Sequence, residues 1–387
     1  MFHSSHIEIS KSALTHNIDY LKSRFGDDTK MSSVIKGNAY GHGIEQIIPL
    51  AESSGIDHFS VFSADEAYRA FKVKHEETEL MIMGMIEDEA IAWAIEHGVS
   101  FYVFDIFRLQ SAKQYADEIG KPAHIHLELE TGMHRTGISQ EKLPDVLTFL
   151  LEHHHNFVIE GICTHFAGAE SISNYLRIKN QLSLFVRTVK KLQKAGLTYK
   201  KLHTACSAAA IRYPRTIMDM VRIGIAQYGM WPNRETFMHD VMEQNGDEYA
   251  TDPLRRVISW KSKVMSIKDV AANRFVGYGT SFLTQRKTKI ATVPVGYVHG
   301  FSRSLSNSGS VLINGLKAPV IGVVNMNMLM ADITDLEGEV AKGDEAIIIG
   351  TDGTIDMSVS SFSELTNNLN YETLARLPND IPRKIVA

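Results

Sequence analysis

Lys36 closes the apolar run Ser33-Val34-Ile35 and opens the segment Gly37-Asn38-Ala39-Tyr40-Gly41-His42-Gly43. An ammonium at the mouth of a strand loses hydration, so its pKa falls and the neutral amine becomes available as a nucleophile or base. Glycines at 37, 41 and 43 let the backbone turn tightly beside it and leave room for a ligand. Four further signals stand after other β-rich runs: Arg135, His165, Ser207 and the stretch Arg222-Ile223-Gly224-Ile225. Taken singly they read as a surface charge, a core histidine, a helix N-cap before Ala208-Ala209-Ala210, and a turn. Taken together, at the ends of successive strands, they read as a site.

The elements that must position them recur as short β-rich runs between segments of helical length. Eight such runs lie at 32–36, 58–63, 79–83, 100–104, 123–129, 157–164, 201–205 and 220–224. Strands alternating with helices predict parallel βαβ units, and eight of them predict an α/β fold with a closed (β/α)₈ TIM-type barrel. An open doubly wound sheet is the alternative. In a barrel the reactive groups sit at the carboxyl ends of the strands, which is where Lys36, Arg135, His165, Ser207 and Gly224 fall. Beyond the polar connection at 243–248 the pattern changes to clustered β-branched residues punctuated by Asn307-Ser308-Gly309, Asn314-Gly315 and Asp352-Gly353. A barrel over residues 1–240 and a mainly β C-terminal domain over 241–387 follow, with Ile7-Glu8-Ile9 a candidate to pair with the second domain.

The 387 residues exceed the usual size of one core, in keeping with two domains. A net charge of −5, from 40 basic and 45 acidic residues without long blocks, gives no reason to expect nucleic-acid or membrane partners. Cys163 and Cys206 are too few for a disulfide framework and suit a reducing compartment. The opening Met1–His6 lacks a basic head followed by an apolar core, and no run approaches membrane-spanning length, so a cytoplasmic location is the expectation.

A lysine on a barrel rim with a phosphate cradle at Ser207, Gly224 and Ile225 suits a phosphorylated aldehyde, of which pyridoxal 5′-phosphate is the common one. The segment Val34–Gly43 resembles the cofactor-lysine motif of alanine racemases. Further resemblance to that family occurs in order at Glu130–Gly137, Thr164–Ala167, His203–Ala209, Val221–Ile225, Val276–Phe282, Pro294–Tyr297 and Asn370–Glu372. The resemblance implies that Lys36 holds the cofactor covalently and serves as base on one face of the substrate α-carbon, with Tyr278 as base on the other. It implies that Arg222 faces the pyridine nitrogen, that Tyr40, Ser207, Gly224, Ile225 and Tyr371 bind phosphate, and that His165 lines the cofactor. Arg135 would contact the phenolic oxygen of the cofactor or the substrate carboxylate, the backbone of Met326 would help hold that carboxylate, and Tyr297 with Tyr371 would line the entrance. In the family Tyr278 and Met326 reach the site from the partner subunit, so a homodimer with shared active sites is implied.

Glu128 stands where many members have a carbamylated lysine supporting the active-site arginine. Asn325-Met326-Asn327, Cys206 and Val298-His299-Gly300 also depart from the common pattern. These positions bear on substrate range. The catalytic pair is intact. His153-His154-His155 reads as solvated surface and His124 with His126 as barrel wall, so no metal is expected. The leading expectation is an alanine racemase supplying D-alanine for peptidoglycan. A racemase of broader specificity (serine, lysine or other), a fold-type III decarboxylase or lyase, and a non-catalytic cofactor-binding protein are the alternatives.

Overall fold

The computed structural model describes residues 3–244, 252–359 and 370–387, which form two compact units. The first unit comprises residues 13–37 and 47–255. With β1 at Ser5–Ser10 outside it, its strands are β2 (Lys30–Val34), β3 (His58–Val61), β4 (Glu79–Ile82), β5 (Ser100–Val103), β6 (Ala123–Glu128), β7 (Phe157–Cys163), β8 (Lys201–His203) and β9 (Met220–Ile223). All eight are parallel and hydrogen-bonded in the order β8-β7-β6-β5-β4-β3-β2-β9. The ring closes just past β8, where a parallel bridge joins Cys206 to Arg222 and the Arg222 N–H donates to the Ala205 carbonyl at 2.9 Å. This is a nearly closed barrel, and the doubly wound alternative is set aside.

Seven of the eight strands lie within their expected runs, one or two residues shorter at the end, and β2 begins two residues ahead of its own. The first matters more: the run 32–36 predicts a strand through Lys36, whereas β2 ends at Val34. The outer helices show why they pack. Tyr175–Lys194 buries Ile178, Gln181, Phe185, Thr188, Val189 and Leu192, one apolar-rich stripe at helical spacing. Ile106–Ile119 starts on Asp105, whose carboxylate accepts the Arg108 N–H at 2.8 Å, and stops at Gly120 in the left-handed conformation. Inside the barrel Met81, Tyr102, Cys163 and Met220 pack together, and Met83 and Phe104 lean on them. Beside these side chains the interior is polar: His126, His203 and Arg222 are all buried, and both imidazoles lie with centroids 6.1 Å from the Tyr102 ring.

The second unit gathers residues 1–12, 38–46 and 256–387. Its strands are β10 (Ile258–Lys263), β11 (Ser266–Val270), β12 (Thr288–Val293), β13 (Ser310–Ile313), β14 (Leu316–Pro319), β15 (Leu329–Asp332), β16 (Glu345–Asp352), β17 (Ile355–Met357) and β18 (Arg383–Val386). One sheet runs β14-β13-β16-β10-β1-β18, with β17 on β16, and a second runs β11-β12-β15. Strand β1 lies antiparallel to β10, with Ile7 opposite Trp260, and parallel to β18, with Ile9 opposite Ile385. The Ile7-Glu8-Ile9 run therefore belongs to the β unit. The boundary expected at 240/241 falls inside the helix Arg234–Gln244, and most of the polar connection at 243–248 lies outside the described residues.

Candidate active site

The end of β2 is fixed from three sides before the chain reaches Lys36. The Val34 carbonyl accepts from Gln227 Nε2 at 3.2 Å and from the Tyr228 hydroxyl at 3.1 Å, and the Ile35 N–H donates to the Ser60 carbonyl at 2.9 Å. Beyond Lys36 the Gly37 N–H donates to Glu66 Oε1 at 2.6 Å, while Glu66 Oε2 accepts the Phe62 N–H at 2.9 Å. Lys36 itself is open to solvent, yet protein crowds it enough that desolvation is the main cause lowering its pKa, and the charges of Arg135 and Arg222 add to the effect. Cys206 and Glu66 pull the other way. A lysine so placed gives up its proton more readily than one in water.

The backbone immediately after Lys36 is left-handed. Gly37, Asn38, Ala39 and Tyr40 have φ of 62, 53, 53 and 52°, so the expected tight turn contains three residues with a Cβ in a conformation that L side chains disfavour. Each such residue costs about 1–2 kcal/mol relative to right-handed helix. Glycine is required at 41, where φ is 81° and a Cβ would stand 2.1 Å from the Leu374 carbonyl oxygen.

Around the same rim the barrel brings together Arg135, His165, Ser207, Arg222, Gly224 and Ile225. His165 carries a pKa lowered to about 3, first by burial and then by Arg222, Arg135 and Lys36, so it is a neutral imidazole among cations. The Ser207 hydroxyl accepts the Gly224 N–H at 3.0 Å, and Ile225 begins a short 3₁₀ turn, Ile225–Tyr228. Arg222 is buried and directs its two terminal nitrogens at the wall. Nη1 donates to His203 Nδ1 at 2.5 Å and to its carbonyl at 2.9 Å, and Nη2 to the carbonyls of Thr164 at 2.9 Å and Thr204 at 3.2 Å. Since guanidinium only donates, His203 Nδ1 accepts, and its Nε2–H donates onward to His126 Nδ1 at 2.9 Å. Burial holds both imidazoles neutral, well below their usual pKa, and the Arg222 charge is the next cause at His203.

Glu128, at the end of β6, is buried. Burial raises its pKa, while a hydrogen bond from Thr136 and the charges of Arg135 and Arg222 oppose the rise. It lines a small crevice with Arg135, Thr164 and His165. The sequence does not single out His203, and it marks His126 only as barrel wall. The spacing of His124 and His126 is the available signal, because residues two apart on a strand share a face; His126 meets His203 and His124 Nδ1 meets Glu160 at 2.6 Å, with the ladder to β7 irregular between Ile125 and His126.

The other expected residues lie in the β unit. Tyr40 and Tyr371 meet edge-on with ring centroids 6.1 Å apart. Tyr278 stands between Gly277 and Gly279, both left-handed, at the tip of a loop closed by the Val276 N–H to Phe282 carbonyl bond of 3.0 Å, and it is 73% exposed. The Met326 carbonyl accepts the Val298 N–H at 3.1 Å, that of Asn325 accepts the Tyr297 N–H at 3.1 Å, and His299 Nδ1 accepts that of Gly296 at 3.1 Å. Tyr297, Val298 and Met326 are exposed side chains on these braced loops.

Two family models cover this architecture. That of the alanine racemase N-terminal domain matches residues 9–232, and that of the C-terminal domain matches residues 257–385. The chain belongs to the alanine racemase family. A curated alanine racemase of Leptospira interrogans is 33% identical over 384 residues, 99% of this chain and 96% of that one. Alanine racemase 1 of Caldanaerobacter subterraneus is 32% identical over 378 residues, 97% of this chain and 93% of that one. Among solved structures, alanine racemase from Bacillus anthracis with bound L-Ala-P superposes with a TM-score of 0.87 at 28% identity, covering 100% of this chain and 96% of that chain. The Bartonella henselae alanine racemase with covalently bound pyridoxal phosphate gives 0.84 at 25% identity, covering 100% of both. The protein is thus an enzyme, an isomerase of amino acids, and its family activity is alanine racemisation.

Proposed function

We propose that the protein interconverts L- and D-alanine with pyridoxal 5′-phosphate, using Lys36 of one protomer and Tyr278 of the partner as bases on opposite faces of the α-carbon. The observation that carries this reading is the rim itself: a lysine with a lowered pKa, two arginines, a neutral histidine and a serine–glycine cradle on one end of one barrel. The donor set suits the cofactor, which when bound supplies an electron sink that acidifies the substrate α-hydrogen. Lys36 holds it and moves a proton at the α-carbon. Ser207, with the backbone of Gly224 and Ile225, would bind the phosphate, and Tyr40 and Tyr371 would add phenolic donors. Arg222 would face the ring nitrogen and donate to it without surrendering a proton, because guanidinium stays charged. Arg135 and the Met326 N–H orient the carboxylate, and Glu128 supplies a buried counter-charge for Arg135 in place of the family's carbamylated lysine.

A homodimer follows from the same reading. Phe62, Met85 and Phe107, which come after β3, β4 and β5 on the barrel rim, are half or more exposed, as are Phe275, Tyr278 and Met326 on the β unit. Apolar surface of that kind favours a second copy of the chain. A cytoplasmic supply of D-alanine for peptidoglycan completes the proposal; among the described residues no helix is long and apolar enough to cross a membrane.

The test is racemisation of L-alanine, L-serine, L-lysine and L-arginine by purified protein with pyridoxal phosphate, read by chiral chromatography. Turnover centred on alanine and lost in Lys36→Ala supports the reading. Preference for a long or basic side chain keeps the mechanism and overturns the substrate, and release of carbon dioxide without racemisation favours the decarboxylase.

A further inference from the structure

Among the side chains that hold the left-handed turn after Lys36 is one that bonds the carbonyls of Ala39 and Tyr40 and that the proposed chemistry does not use. His42 is fully buried, and its Nδ1 lies 2.9 Å from the Ala39 carbonyl and 3.0 Å from that of Tyr40. Carbonyl oxygens only accept, so Nδ1 carries the proton and donates to both. The need for such a donor is local. A left-handed turn that ends after four residues cannot propagate a ladder, so its carbonyls look elsewhere for partners. The Asn38 carbonyl takes the Gly43 N–H at 2.9 Å, that of Ala39 also takes the His42 N–H at 3.1 Å, and that of Gly41 takes Arg383 Nη2 at 3.0 Å and Nε at 3.2 Å. The imidazole spans the two carbonyls between these bonds. Burial, aided by the charge of Arg383, lowers the His42 pKa to about 4, against the opposing pull of the two carbonyls, so the group is a neutral donor.

We propose that His42 is a positioning residue: its Nδ1–H latches residues 37–40 in their left-handed form, sets the Tyr40 hydroxyl for phosphate, and thereby controls cofactor retention rather than proton transfer. The second half rests on the reading of Tyr40 as a phosphate ligand. Strain of this kind persists only where surrounding bonds over-determine it, and this latch is what opposes relaxation of Ala39 and Tyr40 to negative φ.

The test compares holoenzymes of wild type, His42→Phe, His42→Asn and Tyr40→Phe. Phenylalanine fills the buried volume without a donor, whereas asparagine keeps an N–H near the Nδ1 position. His42→Phe is expected to speed amide exchange across residues 38–43 about tenfold and cofactor loss to a trapping reagent about tenfold, with kcat at saturating pyridoxal phosphate within about threefold of wild type. His42→Asn should restore most of both. Exchange and retention within twofold of wild type in a folded His42→Phe overturn the latch, and so does a tenfold loss in His42→Asn, which keeps the donor even where the phenylalanine variant fails to fold. If Tyr40→Phe retains cofactor as wild type does, the phosphate reading of Tyr40 fails. The latch is then judged by exchange alone.

Discussion

Acid should unfold this barrel earlier than its carboxylates dictate, because three histidines are sealed inside it uncharged. His58, His126 and His203 are 1, 2 and 0% exposed, and burial lowers the pKa of His58 to about 4 and those of the other two well below the usual value. In the unfolded chain each titrates near 6.5. The sign comes from proton binding. Above pH 6.5 both states hold these rings neutral and nothing is lost, whereas below it the unfolded state takes up protons that the folded state refuses, so stability falls as pH drops toward 4. At pH 5.5 an unfolded ring is protonated about ten to one, which is about 1.4 kcal/mol per histidine and about 4 kcal/mol for these three, to which His42 and His165, with pKa lowered to about 4 and about 3, add in the same direction. Carboxylates with unfolded pKa values near 4 contribute little in that window. Urea unfolding followed by tryptophan fluorescence at pH 7.5 and 5.5 measures the difference, and His58→Gln, which removes one titrating ring, should shrink it by about 1.4 kcal/mol. A difference below about 1 kcal/mol, or a His58→Gln slope equal to wild type, would refute the account of a neutral polar interior.

Other expected outcomes arise from single contacts. Glu128→Gln removes the counter-charge proposed for Arg135 while keeping shape, so the KM for alanine should rise about tenfold with kcat changed less than about threefold, read from steady-state kinetics. Gly161→Ala places a Cβ 2.6 Å from His126 Nδ1 and 3.0 Å from the His203 ring, which forces the pair apart. It should cost about 1–3 kcal/mol of stability in urea unfolding.

Much of the barrel was legible because parallel strands buried on both faces leave short β-branched and aromatic runs, and the runs at 58–63 and 100–104 contain β3 and β5. The rim was legible for the same reason, since each polar signal comes at or after the end of a strand, Arg222 within the last two residues of β9. Other features depend on partners distant in sequence. Nothing near Arg222 announces that its nitrogens bond His203 and Thr164, 19 and 58 residues away. The left-handed turn contradicts local preference at Ala39 and Tyr40, and bonds made by residues further along the chain, those of His42 and Arg383 among them, are what oppose its relaxation. Residues 38–46 join the β unit from within the barrel's sequence, which no linear boundary could express. The assignment of Ile7-Glu8-Ile9 needed both of its neighbours, β10 and β18, which come from the far end of the chain.

The central claim is that two bases serve two faces, and the most direct measurement is α-hydrogen exchange in deuterium oxide by Tyr278→Phe, with L-alanine and D-alanine tested separately by proton NMR. The account predicts that the variant still washes the α-hydrogen out of one enantiomer through Lys36, loses that of the other by a factor of about 100 or more, and racemises neither at an appreciable rate. Undiminished exchange with both enantiomers would contradict it.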